Sequence, residues 1–129
     1  MLDHLGLSAA DHLRSRDFYL RALAPLGYGL VTTIGKEITG GDEVFGFGPP
    51  QRPGFWISKG SKPSGDTHVA FSAGSRAQVD AFHAEALAAG ATDNGAPGVR
   101  PHYHPDYYGA YVIDPDGNNV EAVCHAPAA

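Results

Sequence analysis

Cysteine is nearly missing from this chain: Cys124 stands alone among 129 residues. An intrachain disulfide is therefore excluded, and a reducing compartment, the cytoplasm, is the expectation. Basic residues are also few, nine Lys and Arg against fourteen Asp and Glu, for a formal net charge of −5 at pH 7. They are scattered without a basic run, which argues against nucleic acid and anionic membrane surfaces as partners. Long hydrophobic runs are absent too, and the N-terminus carries no basic region followed by an apolar one. Neither a signal peptide nor a membrane span is expected. What the chain does have, at 129 residues, is enough length for one domain with a single core.

The stretch Tyr108–His125, YGAYVIDPDGNNVEAVCH, reads as a β-hairpin. Two apolar runs flank Asp114-Pro115-Asp116-Gly117-Asn118, whose Pro and Gly set a tight reversal and whose Asp and Asn bond their own backbone. In the second strand Val120, Ala122 and Cys124 share one face, and Asn119, Glu121 and Val123 the other. Glu121 thus sits on a surface with few other charges, while Cys124 faces away from it as a small buried hydrophobe.

Displacing the chain by 64 residues lays His4-Leu5-Gly6-Leu7-Ser8-Ala9 on His68-Val69-Ala70-Phe71-Ser72-Ala73, and Phe18, Ala22, Leu23 and Ala24 on Phe82, Ala86, Leu87 and Ala88. Such an offset means two copies of one unit, too long for a solenoid repeat and suited to a pseudo-symmetric domain. Each copy opens on a strand of period two, with His4 and His68 on faces otherwise lined by small residues. Those faces are expected to line a cavity, across which the two histidines point at each other. At the same offset Glu121 falls on Ile57, so the first copy repeats the hairpin without its carboxylate.

Taken in order, residues 2–9 form a strand, and a helix capped by Asp11 or Ser15 runs through Ala24 with Leu13, Phe18, Ala22 and Leu23 as its apolar stripe. Tyr28–Ile34, Glu43–Phe47 and Phe55–Ser58 read as short strands, and Lys59–Gly65 as a linker. The second unit has a strand at Thr67–Ala73 and a helix from about Ser75 to Ala89, with Val79, Phe82, Ala86 and Leu87 inward. His12 and His83 are assigned to exposed helix surface or ends. Pro97, Pro101 and Pro105 limit any strand between Ala91 and Tyr107 to a short edge piece. That segment holds Arg100, His102, Tyr103, His104, Asp106 and Tyr107, a natural wall or lid for the cavity. The expected architecture is α+β, one domain over residues 1–129 built from two βαβββ modules at about 1–60 and 66–125.

Two imidazoles and one carboxylate from three strands make a donor set that holds a divalent metal on one face and leaves positions open for substrate. With a metal(II) ion such a site keeps a net positive charge, favouring a small anionic substrate and Lewis-acid chemistry. His102, His104 or Tyr108 can supply proton transfer or hydrogen bonds to the substrate, and Arg100 can clamp a carboxylate or phosphate. Two other readings stay open. One is a metal-free sequestering protein whose cavity has aromatic walls such as Trp56, Tyr103 and Tyr111, and the other places the metal at His102-x-His104, where an extended backbone would put both rings on one side.

HLGLSAADHLRSRDFY at the start, THVAFSA in the middle and YGAYVIDPDGNNVEAV at the end together resemble the vicinal oxygen chelate superfamily, which includes glyoxalase I, fosfomycin-resistance proteins, bleomycin-resistance proteins and extradiol dioxygenases. The resemblance implies paired βαβββ modules cupped around a divalent Zn, Mn, Fe or Ni ion, with His4, His68 and Glu121 at the family's ligand positions. It also implies a substrate that chelates the ion through adjacent oxygens, and a homodimer that can share ligands between chains, so that His4 belongs either to a site within one chain or to one completed by the neighbouring subunit. Glyoxalase I has a further carboxylate in the first module's hairpin, where this chain has Ile57 or its neighbours Trp56 and Ser58, so the three-ligand set is closer to fosfomycin-resistance proteins or dioxygenases. Dioxygenases of this kind are usually longer.

Overall fold

The computed structural model describes residues 1–60 and 66–128; most of the expected Lys59–Gly65 linker lies outside these described residues. The first module runs β1 (Leu5–Ala9), α1 (His12–Leu23), a 3-10 turn (Ala24–Leu26), β2 (Gly29–Ile34), a short α2 (Lys36–Thr39), β3 (Val44–Gly48) and β4 (Phe55–Lys59). The second runs β5 (His68–Ser72), α3 (Arg76–Ala88), β6 (Thr92–Val99), β7 (Tyr108–Ile113) and β8 (Asn119–Cys124). The architecture is α+β with two βαβββ modules, as the repeat predicts, plus one turn of helix between β2 and β3. No helix among the described residues is long and apolar enough to cross a membrane.

Local chemistry sets the helix starts. The Asp11 carboxylate accepts a hydrogen bond from the Arg14 amide at 3.1 Å, and the Ser75 hydroxyl accepts from the Gln78 amide at 3.2 Å, each satisfying one orphan donor of the first turn. The inward faces include Phe18, Ala22 and Leu23 on α1 and Val79, Phe82 and Ala86 on α3, as the stripes predict, with departures at their margins. Leu13 and Leu87 are 43% and 36% exposed, whereas His12, Ser15 and Tyr19 are buried on α1. His12 stacks on Phe45 at 5.7 Å, so it belongs to the core edge rather than to an exposed end. His83 is likewise mostly covered, with Nε2 2.9 Å from Asp93 Oδ1.

Each module builds a four-stranded mixed sheet, in the orders β1-β4-β3-β2 and β5-β8-β7-β6. Within the described residues the parallel pairs are β1 with β4 and β5 with β8. β6 is longer than the prolines suggest, but it does lie at the sheet edge. Its register against β7 shifts between Asp93 and Gly95 and again between Gly95 and Gly98, so Pro97 sits in an irregularity where no ladder amide is needed. β1 and β5 are outer edges of separate sheets, not neighbours in one.

The DPDGN turn ties the modules together. Asp114 is 6% exposed, and its Oδ1 accepts from the amides of Asp116 and Asn118, both at 2.9 Å. Gly117 takes φ 93°, a conformation in which a side chain would strain. The remaining oxygen, Oδ2, accepts from Tyr19 Oη of α1 at 2.5 Å and from Asn118 Nδ2 at 3.0 Å. Asp116 reaches the other way, accepting from the Ala10 amide at 3.0 Å and the Ser15 hydroxyl at 3.3 Å. The second module's hairpin is therefore bolted to the first module's helix, and Phe55 meets Phe71 edge-on at 5.0 Å beside it.

Burial, and next the negative charge of Asp114, push the Tyr19 hydroxyl well above its ordinary pKa. A phenol whose pKa is raised by folding contributes stability that is complete below its unfolded pKa of about 10 and is lost as the pH climbs through the folded value. Tyr19→Phe is expected to lower the unfolding free energy by about 1–3 kcal/mol at neutral pH, because a buried acceptor loses a donor. The variant should also show a shallower alkaline decline than wild type. Urea unfolding between neutral pH and pH ~11 checks both.

Candidate active site

Across the second sheet the ladder aligns Ala70 with Glu121 and Glu121 with Tyr111, so these three share one face, opposite the one packed on α3. His68 lies one diagonal away on that face. Its Nε2 is 2.9 Å from Glu121 Oε1, with the imidazole side chain half exposed and the carboxylate only 1% exposed. Among the described residues His68 is the one ion-pair partner of Glu121. The second oxygen, Oε2, accepts a very short hydrogen bond from the Tyr107 hydroxyl. Burial, then the bond to Glu121, raises the pKa of that phenol far above the ordinary value, so its proton stays in place. The Tyr111 hydroxyl is raised as well, chiefly by burial. Arg100 stacks over Tyr111 with its guanidinium carbon 5.4 Å from the ring centroid and Nη2 2.7 Å from the Ala96 carbonyl.

His4 does not join this pair within one chain. It precedes β1, is 60% exposed, and its Nδ1 lies 2.7 Å from Asp3 Oδ1. That contact, followed by the Arg52 charge, lowers the Asp3 pKa. His4 and His68 line the same intermodule cleft of about 310 Å3, with Leu5, Phe55 and Phe71 between them. Among the described residues no three His, Cys, Asp or Glu side chains gather closely enough to hold a metal ion. A buried carboxylate beside an imidazole, with no Arg or Lys paired to it among the described residues, nevertheless fits two-thirds of such a ligand set.

The loop residues divide. Tyr108 points to the α3 side of the sheet, where its hydroxyl donates to Asp80 Oδ1 at 2.6 Å and Arg76 covers its ring at 5.0 Å. Period-two alternation puts it on the face opposite Glu121, and it is Tyr107, one residue earlier, that reaches the carboxylate. In the sequence Tyr107 stands out only as a loop residue, although carrying the alternation of β7 back by one residue puts it on the face of Tyr111 and Glu121. His104 Nδ1 accepts from the Asp106 amide at 3.1 Å, so Nε2 carries the proton and donates to His125 Nδ1 at 2.7 Å. His102 rests against Tyr103, with ring centroids 4.2 Å apart. Residues 101–103 and 105–106 form turns, so the extended backbone that a His102-x-His104 metal site requires is not formed.

The first module's equivalent of Glu121 is Trp56. Gly6, Trp56 and Gly46 align across the first sheet as Ala70, Glu121 and Tyr111 do across the second. A constant offset picks Ile57 instead, which is 1% exposed in the core, because the second module carries one extra residue before its hairpin. Gly46 leaves the room for the indole: a Cβ there would stand 2.9 Å from Trp56 Cζ3 and 3.0 Å from both Pro53 and Thr32 side chains. Gly46→Ala is expected to cost about 1–3 kcal/mol by overpacking and to shift the emission of the chain's sole tryptophan, measured by urea unfolding and fluorescence.

With this geometry in hand, comparison with known proteins is specific at the level of family. The model of the Glyoxalase/Bleomycin resistance protein/Dioxygenase superfamily matches residues 1–122. A glyoxalase/bleomycin resistance protein from Albidiferax ferrireducens T118 is similar at 30% identity and TM-score 0.75, over 96% of this chain and 98% of that one. A glyoxalase/bleomycin resistance protein/dioxygenase family enzyme from Burkholderia phytofirmans PsJN matches at 21% identity and TM-score 0.71, over 97% and 98% of the two chains. A mutant of the fosfomycin resistance protein FosX from Listeria monocytogenes, solved with Mn(II) and 1S,2S-dihydroxypropylphosphonic acid, matches at 18% identity and TM-score 0.67, over 95% and 88%. Among curated proteins none matches.

Proposed function

Because the chain belongs to the glyoxalase/bleomycin resistance protein/dioxygenase superfamily, we propose that it is a divalent-metal-dependent enzyme acting on a small anionic molecule that chelates the ion through adjacent oxygens. His68 and Glu121 of one chain and His4 of a second copy would hold the ion. One contact carries this reading: the 2.9 Å approach of His68 Nε2 to Glu121 Oε1, a carboxylate taken almost wholly out of water without a permanent cation beside it. When bound, a divalent ion supplies Lewis-acid polarisation of a substrate oxygen.

The chain's own groups do the rest. Arg100, stacked over Tyr111 on the same face, is positioned to bind a carboxylate, phosphate or phosphonate, and its planar fork suits two oxygens at once. Tyr111 and Trp56 are half-buried rings on the inward faces of the two modules and can wall the bound molecule. His102, on the exposed loop, is the imidazole free to exchange a proton with substrate, since His104 is committed to His125. The joint presence of metal and phosphonate in FosX, a structural relative, is in keeping with a small anionic ligand.

A homodimer follows from the same reading. β1 and β5 are open sheet edges, and His4 sits at the start of one while His68 starts the other, so a second copy placed edge to edge brings the missing imidazole to the pair. Purified protein is expected to contain Zn, Mn, Fe or Ni near one ion per chain by elemental analysis. His4→Ala, His68→Ala and Glu121→Gln should each lose most of it. Metal-free wild-type protein that binds aromatic molecules tightly would overturn this reading in favour of a sequestering protein.

A further inference from the structure

Glu121 is gripped differently at its two oxygens. Oε1 faces His68 across the open side of the sheet, whereas Oε2 takes the Tyr107 hydroxyl from the loop side. A phenol has one proton to give, and here it goes to one oxygen alone. We propose, resting on the metal-site reading above, that Tyr107 is a positioning residue that occupies Oε2 and so restricts Glu121 to binding a metal ion through Oε1, on the side of His68.

Three features hold the phenol to that task. Its backbone closes a small turn, with the Arg100 amide donating to the Tyr107 carbonyl at 2.7 Å and the Tyr107 amide donating to the His104 carbonyl at 3.2 Å. Its ring is wedged among Tyr103 at 4.8 Å, His104 at 5.6 Å and His125 at 5.3 Å, the two imidazoles meeting it edge to face. The His104–His125 hydrogen bond thus acts on the site through Tyr107, by fastening the loop to the end of β8. The third is Gly109 in β7, where a Cβ would stand 3.2 Å from both Glu121 Oε2 and the Tyr107 ring. Any larger residue there presses the phenol and the carboxylate apart.

Outer hydrogen bonds of this kind orient ligating carboxylates and set how strongly they bind. With Oε2 engaged, Glu121 offers one oxygen, and the ion keeps a further coordination position for substrate. Without the Tyr107 phenol, Oε2 loses this donor and is freer to chelate, and the carboxylate, left with the Tyr111 hydroxyl as its remaining phenol, is less firmly aimed.

The test uses full-length metal-free protein titrated with Co2+, whose visible absorption reports coordination number, with affinities measured by chelator competition. Tyr107→Phe is expected to keep the fold, as judged by urea unfolding, to bind Co2+ about 10- to 100-fold more weakly, and to show weaker visible bands as the second carboxylate oxygen joins. Gly109→Ala should move the spectrum in the same direction and serves if Tyr107→Phe does not fold. A Tyr107→Phe protein with wild-type affinity and an unchanged spectrum overturns the proposal while leaving the metal site standing. Wild-type protein that takes up no Co2+ overturns both.

Discussion

A carboxylate that is only 1% exposed has surrendered nearly all its hydration, and Glu121 recovers the loss through a half-exposed imidazole and the phenols of Tyr107 and Tyr111. Burying a charge in this way costs several kcal/mol unless partners surround it, and these three partners are neutral or only conditionally charged. The rest of the second module is arranged around that demand. β5 and β8 run parallel so that His68 reaches Glu121 diagonally, Gly109 withholds a side chain next to Oε2, and the loop from Arg100 folds back to deliver Tyr107. The first module bears no such cost: Trp56 occupies the equivalent position and lies over Gly46. Pseudo-symmetry has been retained in the backbone and broken in the chemistry.

The second constraint is the Asp114 turn, which fixes how the modules meet. Tyr19, Ser15 and the Ala10 amide all come from the first module, and all bond to Asp114 or Asp116 of the second. Because this joint lies at the α1 side, β1, which His4 precedes, and β5, which His68 begins, remain at open edges. The same interaction that makes the chain compact leaves His4 apart from His68 and Glu121, which is why the functional unit we propose is a pair of chains. Arg21 and Glu85, 64 positions apart and therefore equivalent in the repeat, pair at 2.8 Å close to the pseudo-twofold axis, although so exposed an ion pair adds little stability.

Much of this is legible in the chain itself. The repeat of His4–Ala9 at His68–Ala73 implies two modules, and the alternation of Asn119, Glu121 and Val123 puts the carboxylate on the face shared with His68. Those inferences need only periods of two and a constant offset. Where the offset changes by one residue, sliding names Ile57 instead of Trp56, since a single insertion reverses every strand side chain. Tyr107 and Tyr108 are exchanged for a related reason: Tyr108 begins β7 on the face opposite Glu121, and Tyr107, just before the strand, falls on the face of Tyr111 and Glu121, so the choice between them rests on the register of the hairpin. The length of β6 escapes a reading from prolines because two irregularities absorb its glycines and Pro97. His4 lies outside the strand expected to carry it, in contact with Asp3, and no local pattern encodes a neighbour supplied by another chain.

The central claim is that His4 of one chain completes the His68–Glu121 pair of another. Mixing His4→Ala protein with Glu121→Gln protein under conditions that exchange subunits tests it most directly, by bound metal per chain. In a twofold dimer with shared sites, each mixed pair regains one fully wild-type site, so random exchange restores about a quarter of the sites. Restoration to that level is the predicted result; a mixture that binds no more metal than the two variants measured separately would contradict the account.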